Sequence, residues 1–352
     1  MVTSFFLTHY FGRFFTIPIF YLPIYFAYIF FDFSSSRNVY KVKKTFIYLF
    51  SCMILSIIFS VKNLTSWSSC LVYILMWTLN FLVANYIALH DRNFIFFKGC
   101  VLSGVFLMIF TFILKSTGYD PAQYFNRPGM NVNQISFVLI FPIYYLIKKG
   151  ILLSSLFSIP ICFLLQSRMF ILKYIISMFL SKVRFRIFLL SGSSILILFV
   201  LLNPSIIEFT YNLIYAFLNF NFDYILGYND ERRISLLFIG LYIVQDLFPF
   251  GSGFGLSNYF NYSSNYISFY SNHRAVLAHN FYITYLGIMG VFFIPFLYSL
   301  IKPLFKSCNY FFPLIISFLL AIAFNEYISS PFFWVAYGSA LSRYKFYFSQ
   351  EL

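Results

Sequence analysis

Charge is what this chain lacks most. Only 10% of its 352 residues are Asp, Glu, Lys or Arg, and 61% are hydrophobic. A soluble domain carries about a quarter charged residues, so this composition excludes a soluble fold and describes a polytopic membrane protein. Acids are the scarcer sign, ten against 24 bases, which leaves a formal net charge of +14. In a soluble protein that excess would indicate nucleic acid. In a membrane protein it follows from Lys and Arg holding the cytoplasmic loops, and no nucleic-acid partner is expected.

Other absences narrow the chemistry. The five cysteines (Cys52, Cys70, Cys100, Cys162, Cys308) form no CxxC and have no His neighbours, which argues against a disulfide framework or a ligand cluster. No HExxH, DxD or helically spaced His pair occurs, so neither metal nor other cofactor is expected. GSGFG at 251–255 is not followed by Lys-Ser/Thr, so it reads as a flexible turn rather than a nucleotide loop. The N-terminus has no basic stretch before its apolar run, and reads as a retained segment. The 53 Phe and 30 Tyr are consistent with an AT-rich coding sequence and are not read as a binding device.

What is present is a series of apolar runs. A spanning helix needs roughly 20 apolar residues. Runs at 14–31, 45–61, 67–89, 94–114, 133–147, 151–166, 187–203, 280–301 and 309–328, with shorter ones at 169–181 and 331–342, predict an all-α bundle of about eleven transmembrane helices. Residues 1–352 then form one integral membrane domain. Lys and Arg at 37–44, 92, 148–149, 182–186, 302–306 and 343–345 all fall on one side, the cytoplasmic face. The opposite face carries the loop 115–132, which includes Arg127, and a large periplasmic loop at 204–279. Within the latter, 234–245 is apolar but too short to span. It reads as an interfacial or re-entrant helix.

Arginine on the outer face runs against the usual bias. Arg168 stands at an outer junction, Arg232 and Arg233 open the short apolar segment, and Arg274 precedes LAHNFYITYLGIMG at 277–290. A guanidinium stays charged and grips phosphate through a planar fork, so these sites suit a pyrophosphate head group. The other reading is that each snorkels to outer-leaflet phosphates. His279, at the mouth of a predicted helix, is either an interfacial hydrogen-bonding residue or a neutral imidazole able to accept a proton from a hydroxyl. Asn280 would orient that ring or a sugar hydroxyl. Glu326 is the one acid at apparent membrane depth, either functional or paired with an outer arginine.

Taken in order, these segments resemble the O-antigen polymerase and ligase family of bacterial envelope glycosyltransferases. PGMNVNQISFVL, with Asn133, is similar to the family's Asn-containing helix entry. Ser167–Arg168 with Leu172 matches its Ser-Arg-x-x-x-Leu. RRISLLFIGLYIVQDLFPFGSGFG supplies Arg233, Pro249, Gly251 and Gly253, and HNFYITYLGIMG supplies His-Asn followed by Gly287 and Gly290. The family spaces His-Asn and the first glycine by about nine residues. Here six precede Gly287, and counting nine reaches Gly290.

The resemblance implies a metal-independent glycosyltransferase of the bacterial inner membrane with its active site facing the periplasm. It would join undecaprenyl-pyrophosphate-linked oligosaccharides. His279, Arg233 and Arg168 would be catalytic, and Arg232, Arg274, Asn280, Asn133 and Arg127 would bind substrate. Membrane lipids and a chain-length regulator are the partners it allows. Polymerase, ligase to lipid A–core and capsule polymerase all fit these motifs. A flippase, from another class, would show paired repeats, and none is visible.

Overall fold

A computed structural model of the chain describes residues 43–91, 93–118, 132–150, 153–158, 161, 168–181, 231–270, 278, 280–306, 310–322 and 331–342. Among the described residues the fold is all helical, with no strand. The helices are α1 (Lys44–Phe59), α2 (Trp67–His90), α3 (Ile95–Ser116), α4 (Val132–Lys149), α5 (Arg168–Leu180), α6 (Glu231–Leu247), α7 (Leu256–Tyr270), α8 (Phe281–Met289), α9 (Phe293–Ile301), α10 (Phe312–Ala321) and α11 (Pro331–Ala340). The expected crossings at 14–31 and 187–203, and the stretch 204–230, lie outside the described residues.

Three helical stretches are long and apolar enough to cross a membrane: Trp67–His90, Ile95–Ile113 and Phe281–Phe305. They coincide with the runs expected at 67–89, 94–114 and 280–301. The 24 residues of α2 rise about 36 Å at 1.5 Å each, enough for a hydrocarbon core of about 30 Å. Ser66 opens α2 by accepting a hydrogen bond from the Ser69 N–H (3.3 Å). Asp91 opens α3, its carboxylate accepting from the N–H groups of Ile95 (2.9 Å) and Phe96 (3.2 Å). Both residues satisfy orphan donors that a helix start leaves unpaired.

The outward faces of α1 and α3 are apolar. Ile47, Tyr48, Leu55 and Ile58 on α1 and Phe106, Ile109 and Ile113 on α3 are exposed. Contiguous apolar surface of this kind costs little against lipid and much against water. Inside, aromatic rings do the packing that small residues do in many membrane bundles. Trp77 is fully buried and meets Phe81, Phe254, Tyr285, Phe296 and Trp334 at centroid distances of 5.6–5.8 Å. One side chain thereby ties α2 to α8, α9, α11 and the turn before α7. Each such pair contributes about 0.5–1.5 kcal/mol beyond the area it covers. Where backbones must come closer, glycine is used: a Cβ on Gly104 of α3 would stand 2.5 Å from Pro142 Cδ of α4.

The third stretch is not straight. In a continuous helix Phe281 and Phe293 would lie about 18 Å apart along the axis. Their ring centroids are 5.5 Å apart, and Tyr282 and Tyr285 also reach Phe293 (6.5 and 6.4 Å). The chain bends at Gly290, whose φ of 57° and ψ of −138° end α8. Two nine-residue helices therefore replace one rod.

Candidate functional site

The segments that carry the sequence motifs meet in the structure through backbone. The Ser252 N–H donates to Gly287 O (2.8 Å), the Gly253 N–H to Ile288 O (3.0 Å), and the Val291 N–H to Pro249 O (2.8 Å). The turn after α6 thus supplies partners for carbonyl groups that the end of α8 leaves open. Close approach requires glycine on both sides. A Cβ on Gly251 (φ 77°) would lie 2.5 Å from Ile288 O and 2.7 Å from Gly290 N, and one on Gly290 would lie 2.6 Å from the Phe250 carbonyl carbon. The turn expected to be flexible at 251–255 is instead buried throughout. Its glycines serve docking, not freedom.

The short loop between α1 and α2 clamps this turn from the other side. Ser60 Oγ donates to Phe250 O (2.5 Å) and Asn63 Nδ2 to Gly251 O (2.9 Å). Fully buried Asn258, at the start of α7, accepts at Oδ1 from the Thr65 N–H (3.1 Å), Thr65 Oγ1 (2.9 Å) and the Ser66 N–H (2.7 Å). Its Nδ2 donates to Cys70 Sγ (3.1 Å). Removing that amide strands buried donors, which costs about 1–3 kcal/mol for each unsatisfied group. Asn258→Leu is therefore expected to destabilise the purified protein by about 2–3 kcal/mol, read as the denaturation midpoint in detergent. An unchanged midpoint would show that the clamp carries no stability.

Helices α6 and α8 run side by side in the same direction. A Cβ on Gly240 would meet Ala278 Cβ (2.7 Å) and Ile283 Cγ2 (2.8 Å), and one on Gly287 would meet Ile243 Cγ2 (3.5 Å). The first turn of α6, where Arg232 and Arg233 stand, therefore lies at the same end of the pair as Asn280. Arg233 is seven residues before Gly240, about 10 Å further along the axis. Asn280 caps α8, its Oδ1 accepting from the Ile283 N–H (3.2 Å). That oxygen is committed to the helix start, so the orienting role expected for Asn280 falls to its amide nitrogen. His279, Arg274 and Arg127 lie outside the described residues.

This mouth is recessed. Gly290, at the far end of α8, sits beside the end of α1, where the Phe59 and Phe292 rings are 5.3 Å apart. The Asn280 end is about 13 Å away along α8, and there the Tyr282 hydroxyl donates to Leu319 O of α10 (2.8 Å). Ala278 and Phe281 are buried. A reading of hydropathy alone puts residues 278–281 at the rim of the bundle. The fold buries Ala278 and Phe281 and leaves Asn280 half-buried.

The other motif pair lies across α10. Arg168 is the first residue of α5 and Asn133 falls in the first turn of α4. In the second turns of these helices, Lys173 Nζ donates to Ser136 Oγ (2.6 Å) and stands 5.7 Å from the Phe318 ring centroid of α10. Phe318 immediately precedes Leu319, so the α4–α5 contact and the start of α8 flank α10 at one height. Sequence reasoning missed Lys173, although a lysine inside the apolar run FILKYII was the available signal. It also missed Asn63 and Asn258, whose partners lie about 190 positions away and leave no local pattern.

The helices and their apolar faces define a membrane protein. Comparison with protein-family models, curated proteins and solved structures gives no match for this chain.

Proposed function

We propose that this protein is an O-antigen polymerase, joining undecaprenyl-pyrophosphate-linked oligosaccharide repeat units at the periplasmic face of the bacterial inner membrane. The observation that supports it is the meeting of the motif segments. The Pro-x-Gly-x-Gly turn docks on the glycines behind His-Asn, and α10 meets the α4–α5 contact and the start of α8 at the neighbouring residues Phe318 and Leu319. A resemblance made of short, separable motifs gains weight when the helices and turns that carry them lie close together.

The chemistry follows from the residue types. An acceptor hydroxyl attacks the anomeric carbon of the donor sugar, and the bond from that carbon to the diphosphate oxygen breaks. His279 takes the hydroxyl proton, or orients that hydroxyl, and undecaprenyl diphosphate leaves with the bonding electrons. Arg168 and Arg233 hold the diphosphate and offset the charge that gathers on it. Arg232, Arg274, Asn133 and Arg127 extend the binding surface. The leaving group is already activated, so the step requires no nucleotide. A mouth recessed in the bundle fits a substrate whose carrier lies in the bilayer.

The ligase shares these motifs and is the second reading. Deleting the gene for this chain and separating lipopolysaccharide on a gel distinguishes them. Loss of a polymerase leaves core plus a single repeat unit, and loss of a ligase leaves bare core. A ladder unchanged from wild type would overturn both.

A further inference from the structure

Lys173 has no exposed surface. Its ammonium donates to Ser136 Oγ at 2.6 Å and sits over the Phe137 ring, 3.4 Å from the centroid, with the Phe318 ring at 5.7 Å. An ammonium carries three donors. Here one hydroxyl accepts one of them, ring faces lie against the group, and no carboxylate among the described residues pairs with it. A buried cation without a counter-charge is expensive to keep, and inside membrane bundles such residues mark substrate or ion pathways.

Its position says what would neutralise it. Phe318, beside the ammonium, adjoins Leu319, which accepts the hydrogen bond from Tyr282 in the first turn of α8. Lys173 and the first turn of α8 thus meet α10 at neighbouring residues. Arg168 lies five residues earlier in α5, about 8 Å along the axis. Helical side chains lean towards the N-terminus of their own helix, and a lysine stem extends about 6 Å. An ammonium released from Ser136 therefore reaches the first turn of α5. With α4 and α5 both entering from the outer face, two helix N-termini add their positive ends at that level.

We propose that Lys173 is a phosphate-binding residue of the donor site. It is parked on Ser136 while the site is empty, and it swings towards Arg168 to pair with a phosphoryl oxygen of a lipid-linked diphosphate. The inference rests on reading the chain as an enzyme of polyprenyl-diphosphate-linked glycans. The competing role is mechanical, a polar link that holds α4 against α5.

Equilibrium binding to the purified full-length protein in detergent separates these roles, with undecaprenyl diphosphate as probe and undecaprenol as the uncharged control. Lys173→Met keeps the length and apolar stem of the side chain. It is expected to weaken diphosphate binding by about tenfold or more, the effect of losing a charge-assisted contact, with undecaprenol binding unchanged. Ser136→Ala removes the parking partner and is expected to tighten diphosphate binding about threefold, since less is given up when the ammonium moves. A purely mechanical lysine predicts no tightening in Ser136→Ala and no selective loss in Lys173→Met, and either result overturns the proposal. Should Lys173→Met fail to fold, the direction of change in Ser136→Ala decides alone. If the wild-type protein does not prefer the diphosphate to the alcohol, the polyprenyl-diphosphate reading itself fails and the lysine assignment falls with it.

Discussion

Gly290→Ala protein is expected to be recovered from membranes at less than about a tenth of the wild-type amount, and to unfold in detergent with stability lowered by about 4 kcal/mol or more. Two costs combine. The backbone at Gly290 has φ 57° and ψ −138°, a region that penalises any residue with a Cβ by about 1–3 kcal/mol. The added carbon would also lie 2.6 Å from the Phe250 carbonyl carbon and 2.7 Å from that of Pro249. Relief demands that the turn retreat, which breaks the bonds Ser252–Gly287, Gly253–Ile288 and Val291–Pro249, each worth about 1 kcal/mol. The combined loss is a large share of the roughly 5–15 kcal/mol that holds an ordinary domain together. Gly118 supplies the control. It too has a positive φ, 81°, but nothing stands within 4 Å of its would-be Cβ. Gly118→Ala should cost about 1 kcal/mol. Equal behaviour of the two variants would show that α8 and the turn after α6 are not interlocked.

The same glycine explains where sequence reading succeeds and where it stops. Composition and apolar runs suffice to locate α2, α3 and the Phe281–Phe305 stretch, because lipid contact is a property of each residue and needs no knowledge of its neighbours. The helix expected at 234–245 is present within α6 for the same reason. The sequence shows two glycines after His-Asn, and the fold shows what each one does. Gly287 gives up its side chain so that Tyr259 can lie against α8, a Cβ there standing 3.0 Å from Tyr259 Cε2. Gly290 turns the chain. The two glycines have different tasks. Hydropathy cannot register that event, since a bent pair of helices and a straight rod share the same residues. The bend is set by a turn about 40 positions upstream, and the clamp on that turn by a loop still further away. Of the eleven crossings expected, three fall on helices long and apolar enough to span, while α1, α4, α5, α10 and α11 are helices of 10 to 18 residues and the runs at 14–31 and 187–203 lie outside the described residues.

Single substitutions at the three proposed catalytic positions are expected to lower polymer formation without loss of protein from the membrane, His279→Ala by a factor of about 10² to 10⁴ and the arginine-to-lysine exchanges by less. His279→Ala removes either a general base or the hydrogen bond that orients the acceptor, and contributions of that kind span this range. Its chain neighbour Asn280 retains the cap of α8, so the helix start stays supported when the imidazole is lost. Arg233→Lys and Arg168→Lys test geometry with charge held constant. An ammonium replaces a planar fork, so two parallel contacts to a diphosphate become one, and a loss of about tenfold to a hundredfold is expected even though the net charge is unchanged. Arginines that merely snorkel to lipid phosphates would tolerate that exchange, since either cation serves there. The lipopolysaccharide gel reads all three variants in one assay. A polymerase defect appears as core plus one repeat unit, with immunoblots of the membrane fraction confirming equal amounts of each protein. Wild-type ladders from well-expressed His279→Ala and Arg233→Lys proteins would remove the proposed site, whatever fold surrounds it. A ladder lost in His279→Ala but kept in both lysine variants would leave the histidine and move the diphosphate to other cations, of which Lys173, already buried beside α10, is the first to examine.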